Sequence, residues 1–235
     1  MPNAADHPKR TRHRAALNRD RIVATAVRIA NERGVAAVTM RALAARLGVE
    51  AMSLYNHVAG KDDILDGMVD RVIEQVELPD VADWREAMRR RAVSARRAFR
   101  HHPWAPALLD SRTSSGPARL RYFDWVLGRL VDAGFTIEGA LRAFSLIDSY
   151  VYGFGIQQLH TAQRPPAPPD PRAEAMLAAF PADRYPYLHR VASHATATGY
   201  DPEADFAHGL DVILDGLART LDPPEPGAPR DRTAP

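Results

Sequence analysis

Residues 39–65, TMRALAARLGVEAMSLYNHVAGKDDIL, break a helical apolar rhythm at Gly48 and resume it two residues later. Thr39 caps a short helix whose Leu43, Ala44 and Leu47 face inward, and the glycine turns the chain. A second short helix over about Glu50–His57 is pinned by Leu54 and Val58, and a third begins at Gly60 or Lys61. Upstream, Ile22, Ala26, Ile29 and Ala30 recur at helical spacing, between an Asn18 N-cap and a Gly34 stop. Two short helices joined by a tight glycine turn therefore sit inside an all-helical segment.

The rest of the chain also reads as helix, over about 83–102, 117–133, 137–161, 183–197 and 203–221, with no competing strand pattern. The segment RPPAPPDPR (164–172) is expected to be a loop, because proline lacks the amide donor and clashes with the preceding turn. The fold class expected is all-α. Residues 1–17 form a basic disordered arm, 18–64 a helix-turn-helix domain, 65–221 a helical body and 222–235 a disordered tail.

No run approaches the ~18 apolar residues of a membrane span, and the amino terminus is basic without an apolar core, so a soluble cytoplasmic protein with no membrane partner is expected. The absence of cysteine excludes disulfides and thiolate chemistry. Charge divides unevenly: residues 1–60 carry ten basic groups against four acids, +6, and the remainder carries 21 against 25, −4. That is the pattern of a polyanion-binding head on a body with another task, or of an Arg-rich solvated face. Neither G-x-S-x-G nor H-E-x-x-H occurs, and GFGIQQ follows no strand. No enzymatic activity, cofactor or metal centre is expected.

With Leu54 turned inward, helical geometry sends Met52 and Asn56 outward, with Ser53 and Tyr55 on the flanks and Ala51 and His57 nearer the buried edge. An exposed Met and Tyr suit a DNA major groove, which admits one helix and offers thymine methyls. Lys61 opposes the dipole of its own helix, a penalty that a phosphate would reverse, though a solvated lysine beside Asp62 and Asp63 reads equally well.

These residues, with RIVATAVRIANERGVAAV before them, resemble the DNA-binding head of the tetracycline-repressor (TetR) family of bacterial transcriptional regulators over about 18–77. The resemblance implies that Thr39 and Ser53 give hydroxyls to phosphate, that Tyr55 and Lys61 grip the backbone, and that Arg41 reads a guanine; a surface ion pair is the plainer role for Arg41. The DNA-facing set is Thr39, Arg41, Ala51, Met52, Ser53, Tyr55, Asn56, His57 and Lys61. Ala51 and Met52 stand where the tetracycline repressors carry an amide side chain and a proline, so a different operator sequence is expected.

LVDAGFTIEGALRAFSLIDSYVYGFGIQQ (130–158) is similar to the TetR-type carboxy-terminal domain, which implies a homodimer, a palindromic operator on double-stranded DNA and a small-molecule effector. The family's drug–magnesium ligands, a histidine and a glutamate, correspond to Asp110 and Gln157, which argues against a magnesium–tetracycline inducer. Helix 137–161 is apolar around much of its circumference and must be buried on more than one side. Asp148 and Gln157 are candidates for orienting a ligand, with internal hydrogen bonds as the alternative. Trp104, Phe123, Phe144 and Tyr150 are candidate aromatic walls or plain core. Val151, with the stripe Phe206, Leu210, Ile213, Leu214 and Leu217, is the candidate dimer interface. The competing reading is an effector-independent DNA binder, architectural or working through a protein partner.

Overall fold

The computed structural model describes residues 16–112, 116–160, 175, 177–198 and 201–221, and the side chains of 158–160 are outside that description. The expected arm (save residues 16 and 17), the proline-rich segment 164–172 and the tail 222–235 lie outside the described residues. Among the described residues the regular structure is helical, with no strand. The chain divides into two compact units, Met1–Met68 and Val69–Pro235.

The first unit holds α1 (Arg19–Arg33), a 3-10 turn (Val35–Ala37), α2 (Met40–Leu47), α3 (Ala51–Leu54) and the start of α4 (Lys61–Ile73). Each boundary has a local cause. Asn18 Oδ1 accepts from the Arg21 amide at 2.9 Å, and Thr39 Oγ1 accepts from the Ala42 amide at 3.1 Å, each satisfying a donor that the helix start would otherwise orphan. Gly48 ends α2 in the left-handed conformation (φ 67°, ψ 44°), where an L side chain would be strained, and its amide and that of Val49 return to α2 carbonyls. The core is Ile22, Ala26, Leu43, Leu47, Leu54, Val58 and Ile64, all buried.

The second short helix is shorter than its periodicity predicts. It stops at Leu54, because the His57 amide bonds to the Leu54 carbonyl three residues back, at 2.9 Å, and the backbone tightens into a turn. His57 is thereby exposed, which corrects its expected position near the buried edge.

In the second unit α5 (Trp84–His101), α6 (Ala105–Ser111), α7 (Pro117–Asp132), α8 (Ile137–His160), α9 (Pro186–Thr198) and α10 (Pro202–Ala218) follow in order. Helix α6 is absent from the sequence-based expectation, and its proline occupies the first turn, where no amide is needed. Buried alanines of α5 (Ala87, Ala92, Ala95, Ala98) let neighbouring helices approach closely, and Tyr122, Val126, Ala143, Ile147 and Val151 fill the space between α5, α7 and α8. The N-terminus of α7 is capped from another helix: Asp70 accepts from the amides of Ala118 (3.1 Å) and Arg119 (2.9 Å). Gly116 permits that approach, since a Cβ there would lie 2.5 Å from Asp70 Cγ.

The apolar stripe of α10 is used differently from the expectation. Phe206, Leu210, Leu214 and Leu217 are buried within the single chain, as is Val151, while Ile213 is half-buried. They therefore belong to the core of the body and are not available as a surface for a second copy, because each packs between α10 and the helices of its own chain. Among the described residues, the large apolar side chains left exposed on these helices are Ile137, Leu141 and Leu146 of α8 and Val212 of α10.

Candidate DNA interface and ligand-sensing body

Two of the head's arginines are occupied internally. Arg46 grips Glu32 with both terminal nitrogens, at 2.8 and 2.6 Å, tying α2 to α1 and holding the Glu32 carboxyl below its usual range. Arg19 donates to Asp63 at 2.7 Å, joining the first turns of α1 and α4. Asp63 also accepts from the Ala59 amide at 3.0 Å, and although burial opposes its ionised form, these bonds outweigh it and hold the carboxyl low.

Arg41 and Lys61 differ. Both are exposed and neither makes an ion pair or hydrogen bond among the described residues, so the plainer reading of Arg41 as a surface ion-pair partner loses its partner. Around them Met52 is 74% and Tyr55 49% exposed, Asn56 and His57 are exposed, and Ala51 and Ser53 are half-buried. The rigid turn at Gly48 sets α3 against α2 with Leu54 as its buried anchor, so an apolar side chain, a phenol and unpaired cations share the surface of one head. The Thr39 oxygen accepts the cap bond, which leaves its hydroxyl proton for an outside acceptor such as a phosphate.

The body's distinguishing feature is a buried polar cluster of which the sequence singles out only Asp148. The carboxylate of Asp148 accepts from Arg91 Nη1 at 2.7 Å, from the Tyr152 hydroxyl at 2.9 Å and from the Tyr122 hydroxyl at 3.1 Å. Arg91 Nη1 also donates to the Tyr122 oxygen, and its guanidinium lies 5.2 Å from that ring's centroid. Burial opposes the charge on Arg91, yet the Asp148 carboxylate outweighs it and holds the guanidinium protonated. Burial pushes both phenols up, so each remains a donor.

The six body residues singled out from sequence do not form one wall. Asp148 and Tyr150 stand about 200° apart on α8. Tyr150 turns to α10, stacking on Phe206 at 5.3 Å and donating to the Phe206 carbonyl at 3.1 Å. Phe144 lies one turn before Asp148 and meets Phe123 of α7 edge-on at 5.3 Å. Trp104 is half-buried at the start of α6 beside His102, and Gln157 is exposed, as is Asp110. Asp148, already accepting three bonds, anchors its neighbours, which replaces the expectation that it orients a ligand directly. Among the described residues no three His, Asp or Glu side chains come together as a cation site, and no helix is long and apolar enough to cross a membrane.

Comparison with known proteins bears on both units. Residues 22–68 match the family described as bacterial regulatory proteins, tetR family, and residues 78–221 match the tetracyclin repressor-like C-terminal domain. The chain belongs to the TetR family. An HTH-type transcriptional regulator of Saccharopolyspora erythraea is 35% identical to this TetR-family chain over 214 residues, covering 90% of it and 89% of the relative. The HTH-type transcriptional repressor DrrR1 of Streptomyces coeruleorubidus is also 35% identical, covering 86% of this chain and 77% of that protein. Among solved structures, the TetR-family protein ActR of Streptomyces coelicolor in complex with actinorhodin superposes with a TM-score of 0.74 at 28% identity, over 89% of this chain and all of ActR. This TetR-family chain is thus a DNA-binding transcriptional regulator and not an enzyme.

Proposed function

We propose that the protein is a repressor that binds a palindromic operator as a homodimer and leaves it when a small, largely apolar molecule enters the helical body. The observation that carries this reading is the pairing pattern of the head: Arg41 and Lys61 are exposed without acidic partners beside Met52 and Tyr55, while Arg19 and Arg46 are held by acids of the head itself. Arg41 presents a bidentate fork suited to guanine O6 and N7, Met52 an apolar contact for a thymine methyl, and Lys61 and Tyr55 phosphate contacts.

One head offers few base-reading groups, so specificity calls for a second related by a dyad, with recognition helices roughly 34–36 Å or a multiple apart. The exposed Leu141, Leu146 and Val212 are the apolar surface that a second copy would cover. A ligand lowers DNA affinity only by binding better to a body conformation in which the heads fit the operator less well, and each ~1.4 kcal/mol of that coupling is tenfold.

The test is selection of bound DNA from random fragments, followed by titration of the complex with apolar small molecules with and without a chelator. An inverted repeat, and release that survives the chelator, are expected. Selected DNA without a palindrome, or a stable monomer by light scattering, would remove the dimeric reading. Release that requires magnesium would overturn the metal-free effector. Exposed Tyr187, Leu188 and Val191 on α9 favour, as the second reading, a protein partner in place of a small molecule; a body that binds no apolar compound would support it.

A further inference from the structure

The described interior of the body holds two guanidinium groups, Arg91 and Arg96, and one carboxylate, Asp148. Like Arg91, Arg96 buries Nε and Nη2, but its guanidinium lies 4.7 Å from the centroids of both Phe154 and Phe206, its Nη1 donates to the Pro202 carbonyl at 2.8 Å and its Nη2 approaches Glu203 at 3.2 Å. Arg91 is used on one nitrogen only. Its Nη1 makes both of its hydrogen bonds, while Nε and Nη2 are buried with no hydrogen-bond partner. Those two nitrogens share one edge of the guanidinium and point their N–H bonds the same way, the geometry that accepts the two oxygens of a carboxylate. Asp148 meets the guanidinium at Nη1 and makes no hydrogen bond to that edge. Buried donors without acceptors are rare in folded proteins, and two on one charged group point to something that docks there.

The edge itself is buried, so a ligand reaches it by displacing its neighbours, and those neighbours are small or partly accessible. Helix α5 surrounds Arg91 with the small side chains of Ala87, Ala92 and Ala95. On α8 the five consecutive residues Tyr152–Ile156 are all partly accessible. At 100° per residue five positions go fully round a helix, so accessible surface lies on the inward side as well as the outward one. A Cβ built at Gly153 would meet nothing within 4 Å, and one at Gly155 would meet only Pro106 at 3.4 Å and Phe99 at 4.0 Å.

We propose that the free edge of Arg91 anchors the carboxylate of a small aromatic or alicyclic monocarboxylic acid, with the ring held among the half-buried aromatic side chains of α6–α8. The inference rests on reading the body as a ligand receptor and adds to it the charge and the anchoring atoms of the ligand. A monoanion fits better than a phosphate: the edge belongs to a single cation, and the Asp148 carboxylate beside it repels further negative charge.

The test uses the full-length protein with naphthalene-2-carboxylate, its methyl ester and its carboxamide as probes, measured by calorimetry and by the guanidinium Nε–Hε NMR signals of nitrogen-labelled protein. The acid should bind at one site per chain and shift the Arg91 Nε–Hε signal, assigned through its own side-chain resonances because Arg96 and Arg119 also bury an Nε, and the ester and amide should bind at least roughly tenfold more weakly. Arg91→Lys keeps the charge without the fork, so it should lose the acid's advantage while the circular dichroism spectrum stays unchanged. If that variant does not fold, the parent's NMR signal decides alone. Equal affinity for acid and ester, saturable binding that leaves the Arg91 signal unmoved, or no binding of the acid at millimolar concentration would overturn the proposal. DNA release is scored separately. Acid bound at Arg91 without release supports this site and removes the effector reading, whereas release by the ester with the signal unmoved removes this site and leaves the effector reading standing.

Discussion

Replacing Asp148 by alanine leaves a permanently charged guanidinium in the interior of the body with its counter-ion gone. Three donors lose a carboxylate acceptor at once: Arg91 Nη1, which keeps only the Tyr122 oxygen, the Tyr122 hydroxyl and the Tyr152 hydroxyl. Arg91 is 0% exposed, so water cannot replace the missing carboxylate without opening the packing of α5 on α8. Removing one partner of a buried pair costs about 3–5 kcal/mol, against a total stability of roughly 5–15 kcal/mol for a typical domain. The cost arises from the stranded charge, so Arg91→Met combined with Asp148→Leu should be markedly more stable than Asp148→Ala alone. The three tryptophans, Trp84, Trp104 and Trp125, all lie in this unit, and their fluorescence in a urea titration reports its unfolding without interference from the head. A loss below about 1 kcal/mol for Asp148→Ala, or a double variant no more stable than the single, would show that the network carries little of the body's stability.

Arg41→Ala should cost about 1–3 kcal/mol of operator affinity and relax preference at one base pair per half-site; uniform loss across sequences in a competition assay would remove the base-reading role. Lys61→Ala should weaken every sequence alike and lower the salt slope of binding by roughly one unit for each phosphate no longer neutralised, read from titrations at several salt concentrations. Asp70→Ala removes two charge-assisted caps from α7 and should destabilise the body by about 1–2 kcal/mol in the same urea titration. Burial, with a smaller contribution from His101, lowers the pKa of His102 below its ordinary 6.5. The unfolded chain therefore takes up the proton first, so this contribution to stability is present above 6.5 and is lost as pH falls through the lower folded value; His102→Gln should flatten the fall in melting temperature on that side.

The helices of the body are legible in the sequence because each has an apolar face and clear punctuation: Asp83 and Asp201 cap α5 and α10 with their side chains, and α7 and α10 begin at prolines. Helix α6 escapes such a reading because Pro103 and Pro106 look like breakers, although a proline in a first turn loses nothing. The head is legible almost to the residue, since Thr39, Gly48 and Leu54 each have one local role that the neighbouring sequence declares. His57 falls on the wrong side because periodicity assumes that the helix continues, and here the backbone tightens after Leu54. The body's polar cluster is out of reach for a different reason. Arg91, Tyr122 and Asp148 lie on three helices, 31, 57 and 26 positions apart, and only their registration brings the groups together. One signal is readable: Arg91 falls on the face shared by Ala87, Ala95 and Ala98, where a solvated arginine has no place.

The same difference between composition and pairing applies to the head. The excess of six positive charges in residues 1–60 reads as a polyanion footprint, yet inside the folded unit Arg19 and Arg46 are spent on Asp63 and Glu32. Those pairs place α1 against α4 and α2 against α1, which fixes the platform on which α3 stands. A charge held in a bidentate pair must lose its partner before it can grip a phosphate, so its contribution to counter-ion release is small compared with that of an unpaired cation. Lys61 has no such pair, and it occupies the helix start where its own dipole disfavours it. On the proposed reading, affinity for DNA follows the cations that the fold leaves unpaired, so Arg41→Ala should weaken operator binding with stability unchanged, whereas Arg46→Ala should cost the head at most about 1 kcal/mol in a urea titration, because its pair with Glu32 is exposed.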